Sequence, residues 1–374
     1  MARADAGIVR FRAFRIGLIG AAALAVLAAG ILPALPSTAS ASPSAGDAVL
    51  MGRISETAVP VRTAAALRRP LAAIGRVAEA RGPSPFAGRP LYREPSGPAH
   101  EQARRWRDER PADAALMDRI AAQPTALWLG DWTRDVGAAA AERVGAARDH
   151  GSLPVLVAYN IPNRDCGLHS SGGADRPADY RAWVADLADG LGAGPAAVVL
   201  EPDALAALDC LPAAARAERE SLMAWSVARL SRRPGVSVYI DAGNASWVAA
   251  AEMARRLREA GVARARGFAV NVSSFHTTAR SRAYGKAVSR RVGGAPFVID
   301  TSRNGTGPAP GDDWCNPPGR ALGQAPTGQT GDPAVDAFLW IKRPGESDGS
   351  CNGAPPAGAW WPEGALALAR AAGG

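Results

Sequence analysis

The sequence has little lysine and few cysteines, and no second long apolar run follows the one near its amino terminus. Its basic residues are almost all arginine, and they are scattered among aspartate and glutamate rather than gathered with aromatic residues. The formal net charge of +8 therefore does not form the continuous basic surface that nucleic-acid binding requires. We expect no nucleic-acid partner.

Only four cysteines are present, and none belongs to a CxxC pair. A zinc site is disfavoured, because the nearest histidine, His169, has no matching partner. An even number of cysteines in an oxidising compartment predicts two disulfides. Three pairings are possible, and the order along the chain favours two local loops, Cys166 with Cys210 and Cys315 with Cys351.

The amino terminus has the pattern of an export signal. A positively charged stretch precedes an apolar run of about 20 residues that closes on Ala39-Ser40-Ala41. A membrane anchor is the alternative, since a run of this length can span a bilayer; the small-residue exit favours cleavage after Ala41. We therefore expect a signal peptide over 1–41, a leader or linker over 42–82, and a secreted, extracellular domain over 83–374 without stable membrane insertion.

From residue 83 onward, short β-rich runs alternate with alanine-rich helical stretches. Strands that are apolar on both faces and alternate with helices predict a parallel α/β sheet covered by helices. Nearly every run ends in a polar residue, which favours a barrel, where all strand ends meet at one mouth, over a doubly wound sheet. The seven predicted strands are 126–132, 154–160, 196–201, 236–241, 267–272, 296–300 and 337–342. The predicted helices lie near 111–121, 134–149, 178–192, 212–232, 246–260, 278–293 and 361–372.

Carboxylates dominate three of these strand ends. Asp165 follows the second run, Glu201 and Asp203 flank a proline after the third, and Glu346 and Asp348 follow the seventh. Crowded carboxylates raise one another's pKa, which is what a general acid needs, and glycoside hydrolysis uses this arrangement directly. Mg²⁺ or Ca²⁺ binding and simple helix capping are the alternatives.

Ten tryptophans against five tyrosines are unusual in an alanine-rich chain. Indole faces stack on the apolar faces of pyranose rings, and the alternative is packing in the core. Core packing is favoured for Trp183 and Trp340, but not for Trp314, which lies in a polar loop. The tryptophans in or just beyond the predicted strands are Trp128, Trp132, Trp247, Trp314 and Trp340.

Seven separated motifs, in this order, make the chain from about residue 83 to its end resemble glycoside hydrolase family 6. The resemblance implies a distorted, incompletely closed, seven-stranded parallel β/α barrel of the TIM-like kind. It also implies hydrolysis of β-1,4-glucosidic bonds with inversion and no metal or organic cofactor. The motifs are YNIPNRDC, LEPDALA, YIDAGNASW, GFAVNVSSF, FVIDTSRNGTGP, DWCNPPGRALG and FLWIKRPGESDGSC.

The resemblance also implies roles for individual residues. Asp203 would be the general acid, and Asp165 would keep it protonated and help to place the water. Asp348 would be the candidate base, and Tyr159 would press on the sugar at the cleavage point. Asp241 would be a supporting acid at the substrate site, and the implied substrate contacts are Lys342, Glu346, Trp128, Trp247 and Trp314.

Two positions depart from the family pattern. Asn244 stands where the family usually has histidine, and Ser274 where it usually has asparagine. Both positions would contact substrate rather than transfer protons, so the departures bear on glycan preference, and a xylan or cell-wall hydrolase stays open. His169 and His276 are interpreted as loop residues without a catalytic role.

An endo-acting β-1,4-glucanase is favoured, because the stretch between Cys315 and Cys351 is short for a roof over the active site. An exo-acting cellobiohydrolase and a non-catalytic glucan-binding protein on the same scaffold are the alternatives. Residues 42–82 contain no aromatic residue, so no cellulose-binding module is visible there. We expect a monomer that acts on soluble or amorphous β-1,4-glucan.

Overall fold

The computed structural model describes residues 82–373, so the predicted signal peptide and nearly all of the predicted leader lie outside the described residues. Seven strands form one sheet in the order β1 to β7, and every neighbouring pair is parallel. The strands are β1 Leu127–Leu129, β2 Val155–Ala158, β3 Ala196–Leu200, β4 Val236–Asp241, β5 Gly267–Val270, β6 Phe297–Asp300 and β7 Val335–Leu339.

Helices connect the first six strands to one another in sequence and cover the outside of the sheet. Proline stands in the first turn of several of them, where its missing N–H costs no hydrogen bond. Asp135 begins α3 by accepting a hydrogen bond from Ala138 N at 2.8 Å. The helices are α1 Pro98–Trp106, α2 Pro111–Ala121, α3 Val136–Asp149, α4 Pro177–Leu191, α5 Ala213–Leu230, α6 Ala250–Glu259, α7 Thr278–Ser289 and α8 Pro362–Ala371.

The sheet curls into a barrel that is incompletely closed. Within residues 82–373 no strand ladder joins β1 to β7. Two single hydrogen bonds span this seam, from Ala126 N to Trp340 O at 3.1 Å and from Trp128 Nε1 to Ile341 O at 2.8 Å. The predicted α/β fold, a distorted seven-stranded parallel barrel, is confirmed.

Alternation along the strands separates two layers of core. In β3, Val198 and Leu200 pack outward against the helices, whereas Ala197 and Val199 face the barrel interior. The interior is filled by side chains, including Phe86 and Tyr239, so the barrel is a packed core rather than a pore. This packing fixes the strand ends, and therefore the residues that follow them.

The seventh strand begins two residues and ends three residues earlier than its apolar run predicted. The strand ends at Leu339, and Trp340 is buried beyond it, where its Nε1 donates to Gln324 O at 3.0 Å. Helix α1 was not among the predicted helices, and α1 and α8 contribute to the apolar cluster around Trp340. A run of apolar residues does not distinguish a strand from a buried loop when both faces of the segment are covered by other parts of the protein. No helix between residues 82 and 373 is long and apolar enough to cross a bilayer.

Candidate active site

A cleft of about 440 Å³ lies at the carboxyl ends of the strands. Side chains from loops after six of the seven strands reach it, as expected when parallel strand ends converge on one mouth. The cleft brings together most of the residues singled out from the sequence, namely Asp165, Asp203, Asp348, Tyr159, Trp128, Trp247, Trp314, Lys342, Asn244 and Ser274.

Asp203 occupies a strained turn directly after β3. Its φ is 69° and that of Glu201 is 49°, both in the left-handed region that non-glycine residues rarely adopt. Asp203 N donates to Asp241 Oδ2 at 3.0 Å, and its carbonyl accepts from Ala207 N at 2.8 Å. Because its backbone is held on both sides, the side chain is presented to the cleft, where it is partly exposed.

Carboxylates surround Asp203 and control its protonation. Burial raises the pKa of Asp203 well above its usual range, and the charges of Asp241, Asp165 and Asp348 raise it further against the opposing charge of Lys342. Asp203 therefore stays protonated to a higher pH than an ordinary aspartate, and a neutral carboxyl group can donate a proton.

Asp165 lies on the loop after β2, which Arg164 holds in place. The Arg164 guanidinium donates to Asp131 Oδ1 at 3.0 Å, to Tyr159 O at 2.9 Å and to Ser170 O at 2.8 Å. Ser170 N donates to Asp165 Oδ2 at 2.6 Å, while burial raises the pKa of Asp165 despite that hydrogen bond. The loop is thus a fixed platform for a second carboxyl group.

Asp348 is buried and paired with two cations. Arg303 donates to Asp348 Oδ2 at 2.8 Å, Lys342 Nζ lies 3.6 Å from Oδ1, and Asn316 N donates to Oδ2 at 3.1 Å. Burial alone would raise the pKa of Asp348, but the charges of Arg303 and Lys342 outweigh it and the pKa is lowered. The cleft therefore holds one carboxyl group that is readily protonated and one that stays ionised.

Aromatic rings line the cleft around these acids. The Tyr159 ring packs edge-on against Trp128, with centroids 5.2 Å apart, and lies under the Arg164 guanidinium. Trp247 and Trp314 expose 48% and 49% of their surface, an apolar area that a core residue would have buried. Trp132 is also exposed and lies 6.5 Å from Tyr159 between ring centroids.

Two of the singled-out acids do not line the cleft. Asp241 is fully buried beneath it, where its Oδ2 accepts from Asp203 N and Gly243 N at 3.0 Å each. Glu346 pairs with Arg343 and faces a neighbouring depression of about 440 Å³. The geometry makes Asp241 a support for Asp203 rather than a substrate contact, and it places Glu346 outside the cleft wall.

Three residues with structural roles at the site, Arg164, Arg303 and Asn316, were not singled out from the sequence. Their hydrogen-bonded acids, Asp131 for Arg164 and Asp348 for Arg303 and Asn316, lie far from them in sequence. The available signal was their place within the motifs NRDC, DTSRNG and DWCNPP, each of which follows or flanks a strand end. Motif membership could have suggested them, but their partners depend on the fold.

The two disulfides form as the order of the cysteines favoured, between Cys166 and Cys210 and between Cys315 and Cys351. His169 lies close to the second pair, but both sulfurs are already bonded to each other and cannot bind a metal as thiolates. The first disulfide anchors the loop of Asp165, and the second joins the loop of Trp314 to that of Asp348.

The model of glycosyl hydrolases family 6 matches residues 86–372. Endoglucanase A of Cellulomonas fimi is 44% identical over 291 residues, which are 77% of this chain and 62% of that protein. Endoglucanase 1 of Streptomyces halstedii is 47% identical over 260 residues, 67% of this chain and 79% of that protein. This chain thus spans less than two thirds of the Cellulomonas protein.

The structure of the endoglucanase Cel6 from Mycobacterium tuberculosis, in complex with methyl-cellobiosyl-4-deoxy-4-thio-β-D-cellobioside, superposes with a TM-score of 0.74. It is 46% identical in sequence, and the match covers 78% of this chain and all of that chain. The family expected from the seven motifs is confirmed, and the chain belongs to glycosyl hydrolases family 6.

Proposed function

We propose that the protein is a secreted endo-β-1,4-glucanase that hydrolyses β-1,4-glucosidic bonds with inversion, with Asp203 as the general acid. The observation that carries this proposal is the state of Asp203, a partly exposed carboxyl group held neutral by burial and three neighbouring carboxylates. Protonation of the leaving oxygen is the step that needs such a group.

Asp348 is proposed as the base. Its lowered pKa keeps it ionised when Asp203 is neutral, and an inverting enzyme needs one carboxyl group in each state. The attacking water bonds to the anomeric carbon and gives a proton to Asp348, directly or through a second water. The glycosidic C–O bond breaks, and the leaving oxygen takes the proton of Asp203. Asp165 is proposed to raise the pKa of Asp203 and to help orient this water.

Tyr159 and the tryptophans are proposed to bind the glucan chain. The Tyr159 side chain packs between Trp128 and Arg164, which restrict its movement. A sugar that binds beside Tyr159 must therefore adapt its own conformation, which favours a distorted pyranose ring. Trp247 and Trp314 would stack on sugar rings in the cleft, and Lys342, Asn244 and Ser274 would donate or accept hydrogen bonds. Glu346 would contact only a chain that extends into the neighbouring depression.

Endo action is favoured over exo action. Only 36 positions separate Cys315 from Cys351, and the disulfide pins this stretch rather than leaving a long roof over the cleft. Four relatives named endoglucanases are 41–47% identical to this chain. Exoglucanase 3 of Agaricus bisporus, by contrast, is 30% identical over 320 residues.

Export is part of the proposal, since two disulfides form stably in an oxidising compartment. The substrate is proposed to be soluble or amorphous β-1,4-glucan rather than crystalline cellulose. A pull-down with crystalline cellulose as strong as that of an enzyme with a binding module would contradict this choice.

Viscosity loss and reducing-end release on carboxymethylcellulose test the proposal together. We expect an early viscosity drop in the wild type, and a loss of about 10²- to 10⁴-fold in kcat for Asp203→Asn, which keeps the shape of the side chain but cannot supply the proton. Proton NMR of the first product anomer tests inversion.

Reducing ends that appear without a viscosity drop would instead support exo action. Binding of cello-oligosaccharides without turnover by the wild type would support a non-catalytic glucan-binding protein, and preferential turnover of xylan would reject the glucanase.

A further inference from the structure

Asn244, Ser246 and His276 form a hydrogen-bonded cluster in the wall of the cleft. Asn244 and Ser246 lie on the loop after β4, and His276 lies on the loop after β5. The loop after β4 also carries Trp247, whose backbone N donates to Asn244 O at 3.4 Å. The polar cluster and the exposed indole therefore belong to one turn.

The orientation of the Asn244 amide is fixed by chemistry. Ser246 N, which can only donate, lies 3.1 Å from one terminal atom of this amide, so that atom must be the oxygen Oδ1. Ser246 Oγ lies 3.2 Å and His276 Nε2 lies 3.1 Å from the same oxygen. Three donors converge on Oδ1, whereas Nδ2 of Asn244 makes no hydrogen bond to any residue in 82–373.

The imidazole tautomer follows from the same contacts. Nε2 faces a carbonyl oxygen, which can only accept, so Nε2 carries the hydrogen, and it lies 2.8 Å from Ser246 Oγ. Nδ1 is buried and has no hydrogen-bond partner within residues 82–373, so protonating it would place an unpaired N–H in the core. Burial, and then Arg280, lower the pKa of His276 against the opposing charge of Asp312. The ring is therefore a neutral Nε2–H donor.

The backbone of His276 holds the ring in place. Its N donates to Asn271 Oδ1 at 3.1 Å, and its carbonyl accepts from Asn271 Nδ2 at 3.2 Å and Asn304 Nδ2 at 3.1 Å. Only 2% of the His276 surface is exposed, whereas Asn244 is partly exposed. His276 thus acts from behind Asn244 rather than on a ligand.

We propose that His276 is a positioning residue for substrate binding. It holds the Asn244 amide so that Nδ2–H donates to a hydroxyl oxygen of the glucosyl unit that stacks on Trp247. The inference rests on the proposed function, and it assigns to His276 a part in substrate affinity but not in proton transfer.

Steady-state kinetics on cellopentaose test the assignment. In His276→Asn the side-chain amide reaches only the Nδ1 position, so the donor to Asn244 Oδ1 is lost. We expect the KM to rise about 3- to 10-fold, the effect of one neutral hydrogen bond, with kcat nearly unchanged. His276→Gln places an amide N–H near the Nε2 position and is expected to restore most of the affinity.

A double-mutant cycle with Asn244→Ala separates positioning from a general loss of structure. If His276 acts through Asn244, the double variant has the KM of Asn244→Ala alone, because the two residues serve one hydrogen bond. His150→Asn, at the end of α3 and away from the cleft, is the matched control for replacing a histidine and is expected to leave KM unchanged.

An unchanged KM in folded His276→Asn, a loss of kcat alone, or additive effects in the cycle would overturn the inference. Thermal melting shows whether each variant is folded. If His276→Asn does not fold, His276→Gln decides: a KM near that of the wild type supports the inference, and a KM as high as that of Asn244→Ala overturns it. A wild type that does not cleave cellopentaose would count against the proposed function instead.

Discussion

Asp203 N and Asp241 Oδ2 are 3.0 Å apart, so a buried carboxyl group supports the backbone of the acid that faces the cleft. The same Asp241 oxygen accepts from Gly243 N, while the other carboxylate oxygen, Oδ1, is buried and accepts no hydrogen bond from the described part of the chain. Burial raises the pKa of Asp241 to about 7. The two carboxyl groups therefore titrate as a pair, and either one affects the proton of the other.

Asp241→Asn is expected to move the alkaline limb of the activity profile to lower pH. The amide still accepts the hydrogen bonds from Asp203 N and Gly243 N, but the negative charge that raises the pKa of Asp203 is removed. Asp203 then loses its proton at a lower pH, and kcat near pH 7 falls by roughly tenfold. This loss of kcat is smaller than the one expected for Asp203→Asn, which removes the acid. The check is a profile of kcat against pH, with the exposed Asp149→Asn as control. An alkaline limb that stays in place would contradict this coupling.

Arg303→Met tests the buried pair with Asp348. Both side chains are nearly fully buried, so removing Arg303 leaves the Asp348 carboxylate with Lys342 as its remaining cation and is expected to cost up to about 3–5 kcal/mol of unfolding free energy. The pKa of Asp348 would rise, and the acidic limb of the activity profile would move to higher pH, because Asp348 must be ionised to act as base.

Arg176→Met is the matched control for Arg303→Met, because the pair of Arg176 with Asp179 is exposed to solvent and is expected to contribute little to stability. Urea unfolding and pH–rate profiles compare the two variants. If Arg303→Met and Arg176→Met lower the unfolding free energy equally, the pair of Arg303 with Asp348 is not desolvated. If the acidic limb does not move in Arg303→Met, Asp348 is not the base.

Glu201→Gln is expected to reduce the pH dependence of stability. Glu201 is fully buried at the end of β3, where it accepts from Asn160 N and Ile161 N, and burial raises its pKa to about 7. An unfolded glutamate titrates near pH 4.3, so the folded state binds more protons between about pH 4.3 and 7. Its contribution is complete below pH 4.3 and is lost as pH rises through about 7, on the order of 3 kcal/mol.

Thermal melting from pH 4 to pH 9 measures this effect. We expect the wild type to lose more stability than Glu201→Gln over this range, and Glu363→Gln, at an exposed glutamate, to behave as the wild type. A parallel loss in Glu201→Gln and wild type would contradict the assignment.

Replacing both Cys166 and Cys210 by serine is expected to lower stability by about 3–4 kcal/mol, since the disulfide closes a loop of 44 positions. Cys166 and its neighbour Asp165 have φ of 51° and 55°, a backbone that the cross-link helps to hold. Without the disulfide, the loop that carries Asp165 would be less well ordered. We expect kcat to fall because Asp165 would then be held less firmly beside Asp203. The matched variant lacks Cys315 and Cys351, whose loop of 36 positions is expected to give a similar loss of stability. An unchanged kcat without the first disulfide would show that Arg164 alone orders the loop.

The order of strands and helices could be predicted from the sequence, because apolar runs alternate with helical stretches throughout residues 83–374. Helix α2 has the predicted bounds and β4 lies within its predicted run, whereas α1 was missed and β7 was displaced. The failures lie where α1, α8 and Trp340 pack together, because contacts between distant segments leave no periodic pattern in either one.

By itself, the sequence determined the family, the barrel and the acids at the strand ends, because parallel strands must present their carboxyl ends at one edge. Only the tertiary structure decided what each acid can do. Asp203, Asp241 and Asp348 are the same chemical group, yet neighbouring carboxylates raise one pKa and Arg303 lowers another. Those differences come from burial and from charges brought together across the fold, and neither is a property of a residue's place in the chain.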